Sequence, residues 1–373
     1  VIDAKAQSVH LVNHAGSLPA VIIASIRKPP LSKSILFVAS NKEEAAYYLN
    51  SFQNLLPEQN TLFLPDSFKR PNLYEEINSS QILERTETVN KLSTFKNQGF
   101  LLVTYPEALL ETVVSPNALS KARITLKKEE TIDVDALTEI LVEYGFARED
   151  FVFEPGQFSI RGGIVDVFSF GNEYPYRVEL LDEEIESIRT FDPLTQRSIQ
   201  KISLVSIVPN VATSFGEAEK CPLLDILDDQ TIICVANHSM LIDNLQTSFE
   251  KKEEHLQQLH RLENQSQVDF FGKNNFTTPG IITSSLEDFS KIFLADPPPH
   301  TFKFEWKGSP QKSFNKNFNL LIENFIDNNQ KGFSNFLFAE NPRQIERFYS
   351  IFEDLNVTID FHPIPASIHE GFT

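Results

Sequence analysis

The chain has 373 residues, 41% of them hydrophobic, enough for two or three packed domains. Its 33 basic and 51 acidic residues leave a net charge of −18, which opposes phosphate backbones and excludes a large nucleic-acid surface while allowing a local basic patch. Cys221 and Cys234 form neither a disulfide framework nor a metal spacing, and no apolar run reaches the ~18 residues of a membrane span, so a cytoplasmic protein is expected. The single methionine is Met240, so Val1 is not an initiator and the chain reads as an excised piece of a longer protein.

The first predicted unit is "LVNHAGSLPAVIIASI", Leu11 to Ile26, a strand, a Gly-Ser turn and an apolar helix. This is the context of a phosphate-binding loop, which needs backbone N–H groups, a lysine for the phosphates and a hydroxyl for Mg²⁺. With Gly16 as the central glycine, Asn13 and Leu18 replace the outer glycines, Pro19 the lysine and Ala20 the hydroxyl. Pro19 also lacks an N–H, yet proline suits a first helical turn, so the stretch reads as a structural, non-binding turn.

"SILFVAS", "TLFLP" and "FLLVTY" follow as short buried strands. Between them lie the helical segments "NKEEAAYYLNSFQNLL", capped by Asn41, and "NSSQILERTETVNKLSTFKNQ", opened at Asn78 or Ser79. Pro106 then opens a helix over "PEALLETVVSP". Strands alternating with helices predict an α/β fold on a parallel sheet.

After Pro116 the character changes. "SKARITLKKEE" reads as a strand, "DVDALTEILVEYGF" as an amphipathic helix ending near Gly145, and Phe151 to Val208 as strands parted by Gly-Gly, Gly-Asn and Asp-Glu turns. From about Asn210 the α/β alternation returns: "TIICVANHS" and "GIITSS" as strands around the charged helix "DNLQTSFEKKEEHLQQLHRLENQ", then a Pro-rich connection "ADPPPHTFKFEWKGSP". "FNLLIENFIDNNQKG", "SNFLFAE" and "PRQIERFYSIFEDLN" close the series as helix, strand and helix. The expected divisions are residues 1–116, 117–208 and 209–373.

Few residues suggest chemistry. Asp182, Glu183 and Glu184 could imitate a Mg²⁺-binding acidic motif, but they lack a lysine-bearing loop and suit a hairpin turn. His255 and His260 are five apart, which misses the i, i+4 ligand spacing. No metal site and no nucleophile elbow are read. In "YRVELL" the strand period places Arg177, Glu179 and Leu181 on one face and Val178 and Leu180 on the other. In "FSIRGGIVDVF", Arg161 lies opposite Phe158 and Ile160, and Gly162-Gly163 suits a bulge or a close backbone approach. Two arginines and a carboxylate on an open sheet face suit protein recognition, and equally a solvated ion pair of little energy.

The run "RGGIVDVF", then "PYRVEL", "EEIESIR" and "FDPLTQRS", resembles the domain shared by bacterial transcription-repair coupling factors and the excision-repair protein UvrB. The degenerate loop favours the coupling-factor family. The resemblance implies degenerate helicase-like α/β pieces flanking a small β-rich α+β domain that binds UvrA. It assigns that contact to Arg161, Arg177 and Glu179, with Leu181 where the family often has an aromatic residue. It also implies a non-enzymatic piece without cofactor. ATP, Mg²⁺, duplex DNA, RNA polymerase and a carboxy-terminal masking domain would belong to regions of the longer protein beyond this chain.

Overall fold

Short, wholly apolar runs build the largest sheet. Its seven parallel strands lie in the order Phe302–Glu305, Ser8–Val12, Ser290–Phe293, Ile232–Val235, Ile35–Val38, Leu101–Thr104, Thr61–Phe63. The computed structural model describes residues 7–29, 31–57, 61–69, 78–95, 98–170, 172, 174–209, 219–261 and 275–373. Every residue of Ile35–Val38, Leu101–Thr104 and Ile232–Val235 is buried, as expected where helices cover both faces. One face packs Ile35, Phe37, Leu101, Val103 and Cys234 against Ile23 and Phe52 of helices Leu18–Arg27 and Lys42–Leu55. The other packs Leu36, Val38, Leu102 and Ile233 against helices Ser79–Thr94, Pro106–Leu110, His238–Arg261 and Pro279–Leu286.

The predicted α/β fold is therefore present, with local departures that have clear causes. "GIITSS" is helical, because Pro279 starts the helix behind the N-cap Thr278. The Pro-rich connection contains the edge strand Phe302–Glu305. The helix opened by Pro106 stops at Leu110, and the β-branched pair Val113–Val114 pairs with Lys220–Cys221 before Pro116 opens another helix. The charged helix begins at His238, while its expected end at Asn264, Gly171 of the Gly-Asn turn and Asn210 lie outside the described residues.

A second sheet of six strands runs Ser198–Ile202, Glu184–Phe191, Tyr176–Leu181, Ile164–Val167, Gln157–Arg161, Ala147–Arg148. It is antiparallel except for the pairing of Ala147–Arg148 with Gln157–Arg161. Phe158, Val165, Val167, Val178 and Ile188 turn inward against Leu137 and Leu141 of the helix Val134–Glu143 and against the antiparallel pair Ile124–Lys127 and Leu204–Ile207. This core covers one face only; the alternate residues form the other, which is open except where the loop around Val152 lies over Ser159 and Phe191. A smaller unit near the end pairs Phe336–Phe338 with His362–Ile364 beside helices Phe318–Gln330 and Pro342–Asp354.

Candidate protein-docking site

The open face of the six-stranded sheet collects the charges. Register pairs Asp166 with both Ser159 and Arg177, Arg177 with Arg189, and Glu179 with Ser187. Gly162 turns the hairpin before Ile164 with φ 61°, and Gly163 lies so close to the neighbouring strand that a Cβ would stand 2.8 Å from the Leu180 carbonyl oxygen. Of the bulge and the close backbone approach expected for this glycine pair, the close approach is realised, at Gly163, while the ladder between the two strands runs without a register shift.

Asp166 is the centre of the face, with a side chain 0% exposed. Its Oδ1 accepts from Arg177 Nε at 2.7 Å, and its Oδ2 accepts from Arg177 Nη2 at 2.8 Å and from Arg161 Nη2 at 2.6 Å. A buried carboxylate is tolerable only when paired and hydrogen-bonded, and here one carboxylate orients two guanidinium groups. Arg161 also donates to the Asp150 carbonyl at 2.9 Å and lies 4.5 Å from the Phe151 ring centroid. Arg177 donates to Gln196 Oε1 at 3.0 Å and covers Phe191 at 4.3 Å. The hydrogen bonds to Asp166 hold the Arg177 guanidinium above its ordinary value.

Glu179 forms a neighbouring pair. It accepts from Ser187 Oγ at 2.6 Å and takes both terminal nitrogens of Arg189. The Ser187 hydrogen bond first, and Arg189 next, hold its carboxyl below the ordinary range. Leu181 stands apart. The register shifts between Glu179 and Leu180, and Leu181 ends the strand beside the turn, 67% exposed. Asp182, with φ 55°, and Glu183 make that turn, and Glu184 opens the next strand.

Thus Arg161, Arg177 and Glu179 share a face, joined by residues that strand periodicity alone did not single out: Asp166, Arg189, Gln196 and Phe151. Asp166 did carry a signal, since in "GGIVDVF" it alternates with Val165 and Val167, and aspartate is uncommon inside strands. Arg161 spends two of a guanidinium's roughly five donors and Arg177 three, so each keeps N–H groups with no partner among the described residues. A pre-oriented fork of this kind can grip a carboxylate or a carbonyl with little further ordering.

Residues 124–212 match the family model described as the UvrB interaction domain. The matched domain contains the whole of the charged face. Along the chain the similarity is to proteins named transcription-repair-coupling factor. That of Bacillus subtilis (strain 168) is 29% identical over 58% of this chain and 18% of its own length. Those of Escherichia coli (strain K12) and Staphylococcus aureus (strain bovine RF122 / ET3-1) are 32% and 41% identical over 34% and 33% of this chain and 11% and 10% of theirs. The chain thus spans between a tenth and a fifth of the length of these relatives.

The other predicted site is the loop before helix Leu18–Arg27. Asn13 and Gly16 have φ of 56° and 50°, the turn conformation expected there. Leu18, Pro19 and Ala20 are buried. The helix start is covered by the chain's own backbone: Ser17 N donates to the Glu370 carbonyl at 3.0 Å, and Glu370 N donates to Ser17 Oγ at 3.1 Å. A Cβ on Gly16 would stand 2.5 Å from the Gly371 carbonyl oxygen. His369 packs on Tyr47 at 4.0 Å between ring centroids, and Thr373 exchanges two backbone hydrogen bonds with Ser309. A peptide carbonyl therefore takes the Ser17 N–H, one of the groups at this helix start to which a phosphate would bind. His255 and His260 sit on the helix His238–Arg261, half-buried and exposed respectively. Among the described residues no helix is long and apolar enough to cross a membrane.

Proposed function

We propose that this chain is a non-enzymatic recruitment module of a transcription-repair coupling factor, and that the open face around Asp166 docks the excision-repair protein UvrA. The observation that carries the reading is the double arginine fork: Arg161 and Arg177 held by one buried carboxylate inside the matched interaction domain, with donors left over. Both arginines form charge-assisted hydrogen bonds to carboxylates of the partner. Glu179, already paired with Arg189, presents a negative edge that fixes the register, and Leu181 adds apolar contact at the strand end. Occupation of the vestigial loop by Glu370 and Gly371 supports a role without nucleotide in this part of the molecule.

Titration of the chain with purified UvrA tests the proposal. Saturable binding is expected, weakened about 30-fold or more by Arg161→Ala, on the basis of ~2–5 kcal/mol for truncating one partner of a desolvated charge pair. A folded parent that fails to bind would refute the reading. Parent and variant binding alike would move UvrA to another surface.

A further inference from the structure

The arginine fork has an apolar neighbour. Phe151 and Phe153 are each 50% exposed and Leu194 is 83% exposed, all within the matched domain. Two loops carry them, and both are fastened to the charged face. Ser159 Oγ and Arg161 Nη1 donate to the Asp150 carbonyl at 2.8 and 2.9 Å. Gln157 Oε1 accepts from the backbone N–H groups of Phe153 and Glu154 at 2.8 and 3.0 Å. By strand alternation Gln157, Ser159 and Arg161 share the open side, so the loop carrying Phe151 and Phe153 lies over it.

The second loop is wound on Asp192, which accepts from Leu194 N, Thr195 N and Thr195 Oγ1 at 3.0, 2.7 and 3.0 Å. Gln196, with φ 57°, joins the parts. Its Nε2 donates to the Pro193 carbonyl at 2.7 Å and the Val152 carbonyl at 3.4 Å, while its Oε1 accepts from Arg177. One side-chain amide thus holds together the neighbours of Phe153, the neighbour of Leu194 and the arginine fork. Beneath them Val152, Phe168 and Phe191 form a small separate core. Large apolar side chains held out to water on a fixed backbone, next to cations with unspent donors, are the anatomy of a preorganised contact surface.

We propose that Phe151, Phe153 and Leu194 are the apolar half of the docking face, and that the UvrA surface received there presents carboxylates flanked by an apolar side chain. This rests on the UvrA reading above. The carboxylates complement Arg161 and Arg177, and the apolar side chain packs on the exposed Phe153 and Leu194. Phe151, stacked on Arg161, belongs to both halves.

Calorimetric titration of the full chain with UvrA at two salt concentrations separates the two claims. Phe153→Ala/Leu194→Ala is expected to weaken binding about tenfold or more with the salt dependence unchanged, because apolar contact is not screened. Arg161→Ala is expected to weaken binding and flatten the salt dependence. Both exposed side chains can be truncated without opening the core, and an unchanged unfolding transition confirms it. If the double variant binds within about twofold of the parent while Arg161→Ala does not, the apolar half is wrong and the UvrA reading stands. If the parent does not bind, both fall.

Discussion

Asp166 is the residue on which the open face depends. Its side chain is fully buried and receives three charge-assisted hydrogen bonds from two arginines. Asp166→Asn should destabilise the protein by about 3 kcal/mol, since two guanidinium groups then lose their counter-charge while one of them, Arg177, is only 13% exposed. Urea denaturation checks this, and a loss below about 1 kcal/mol would mean that water replaces the carboxylate easily. Glu179 gives a pH signature. Its carboxyl is held below its ordinary value by Ser187 and Arg189, so the native state binds fewer protons than the unfolded chain. The stabilisation is present above the unfolded value of about 4.3 and is lost as the pH falls through the lower folded value. The stability difference between the parent and Glu179→Gln should therefore be largest near neutrality and shrink below about pH 4. A difference constant from pH 7 to pH 3 would contradict it.

At the scale of elements, the start of helix Leu18–Arg27 is a closed joint between the two ends of the sequence. Gly16 is required there twice, by φ 50° and by the approach of the Gly371 carbonyl. Gly16→Ala should cost about 1–3 kcal/mol and push the Glu370–Gly371 segment away from the helix. Hydrogen exchange would then quicken at Ser17 and Thr373 and stay slow in Ile35–Val38; uniform quickening would show that the joint is not a separable unit. The same joint shows why a motif alone misleads. The phosphate-loop outline from Leu11 to Ile26 was legible because strand, turn and helix were written locally. Its occupant was not, because Glu370 is 353 positions from Ser17 in sequence.

Over the whole molecule, the seven-stranded sheet cannot be assembled from one stretch of chain. Ile232–Val235 lies between Ile35–Val38 and Ser290–Phe293, so residues from both sides of the six-stranded sheet complete one another. Residues 1–122 alone should remain unfolded, lacking the central strand Ile232–Val235 and two of the four helices, His238–Arg261 and Pro279–Leu286, that cover one face of the sheet. Residues 123–209 contain their own sheet and core and should fold alone, with a cooperative thermal transition followed by circular dichroism. A cooperative transition in the first fragment, or none in the second, would contradict this division.

The sequence by itself determined the types of the elements and the faces of the strands. Apolar runs specified buried parallel strands, and alternation placed Arg161, Arg177 and Glu179 on the side opposite Val178 and Phe158, because side-chain direction in a strand is a local, period-2 property. It misread "GIITSS" and the strand within the Pro-rich connection, where a cap and a distant edge outweighed local patterning. Only the tertiary structure decided that Asp166 unites the arginines, that Arg189 holds Glu179, that a register shift sets Leu181 apart, and that Glu370 closes the loop. The first three depend on which strands pair and in what register, and the last on where a segment 353 positions away comes to rest. That choice is made by the burial of whole faces against distant segments, and no local stretch encodes it.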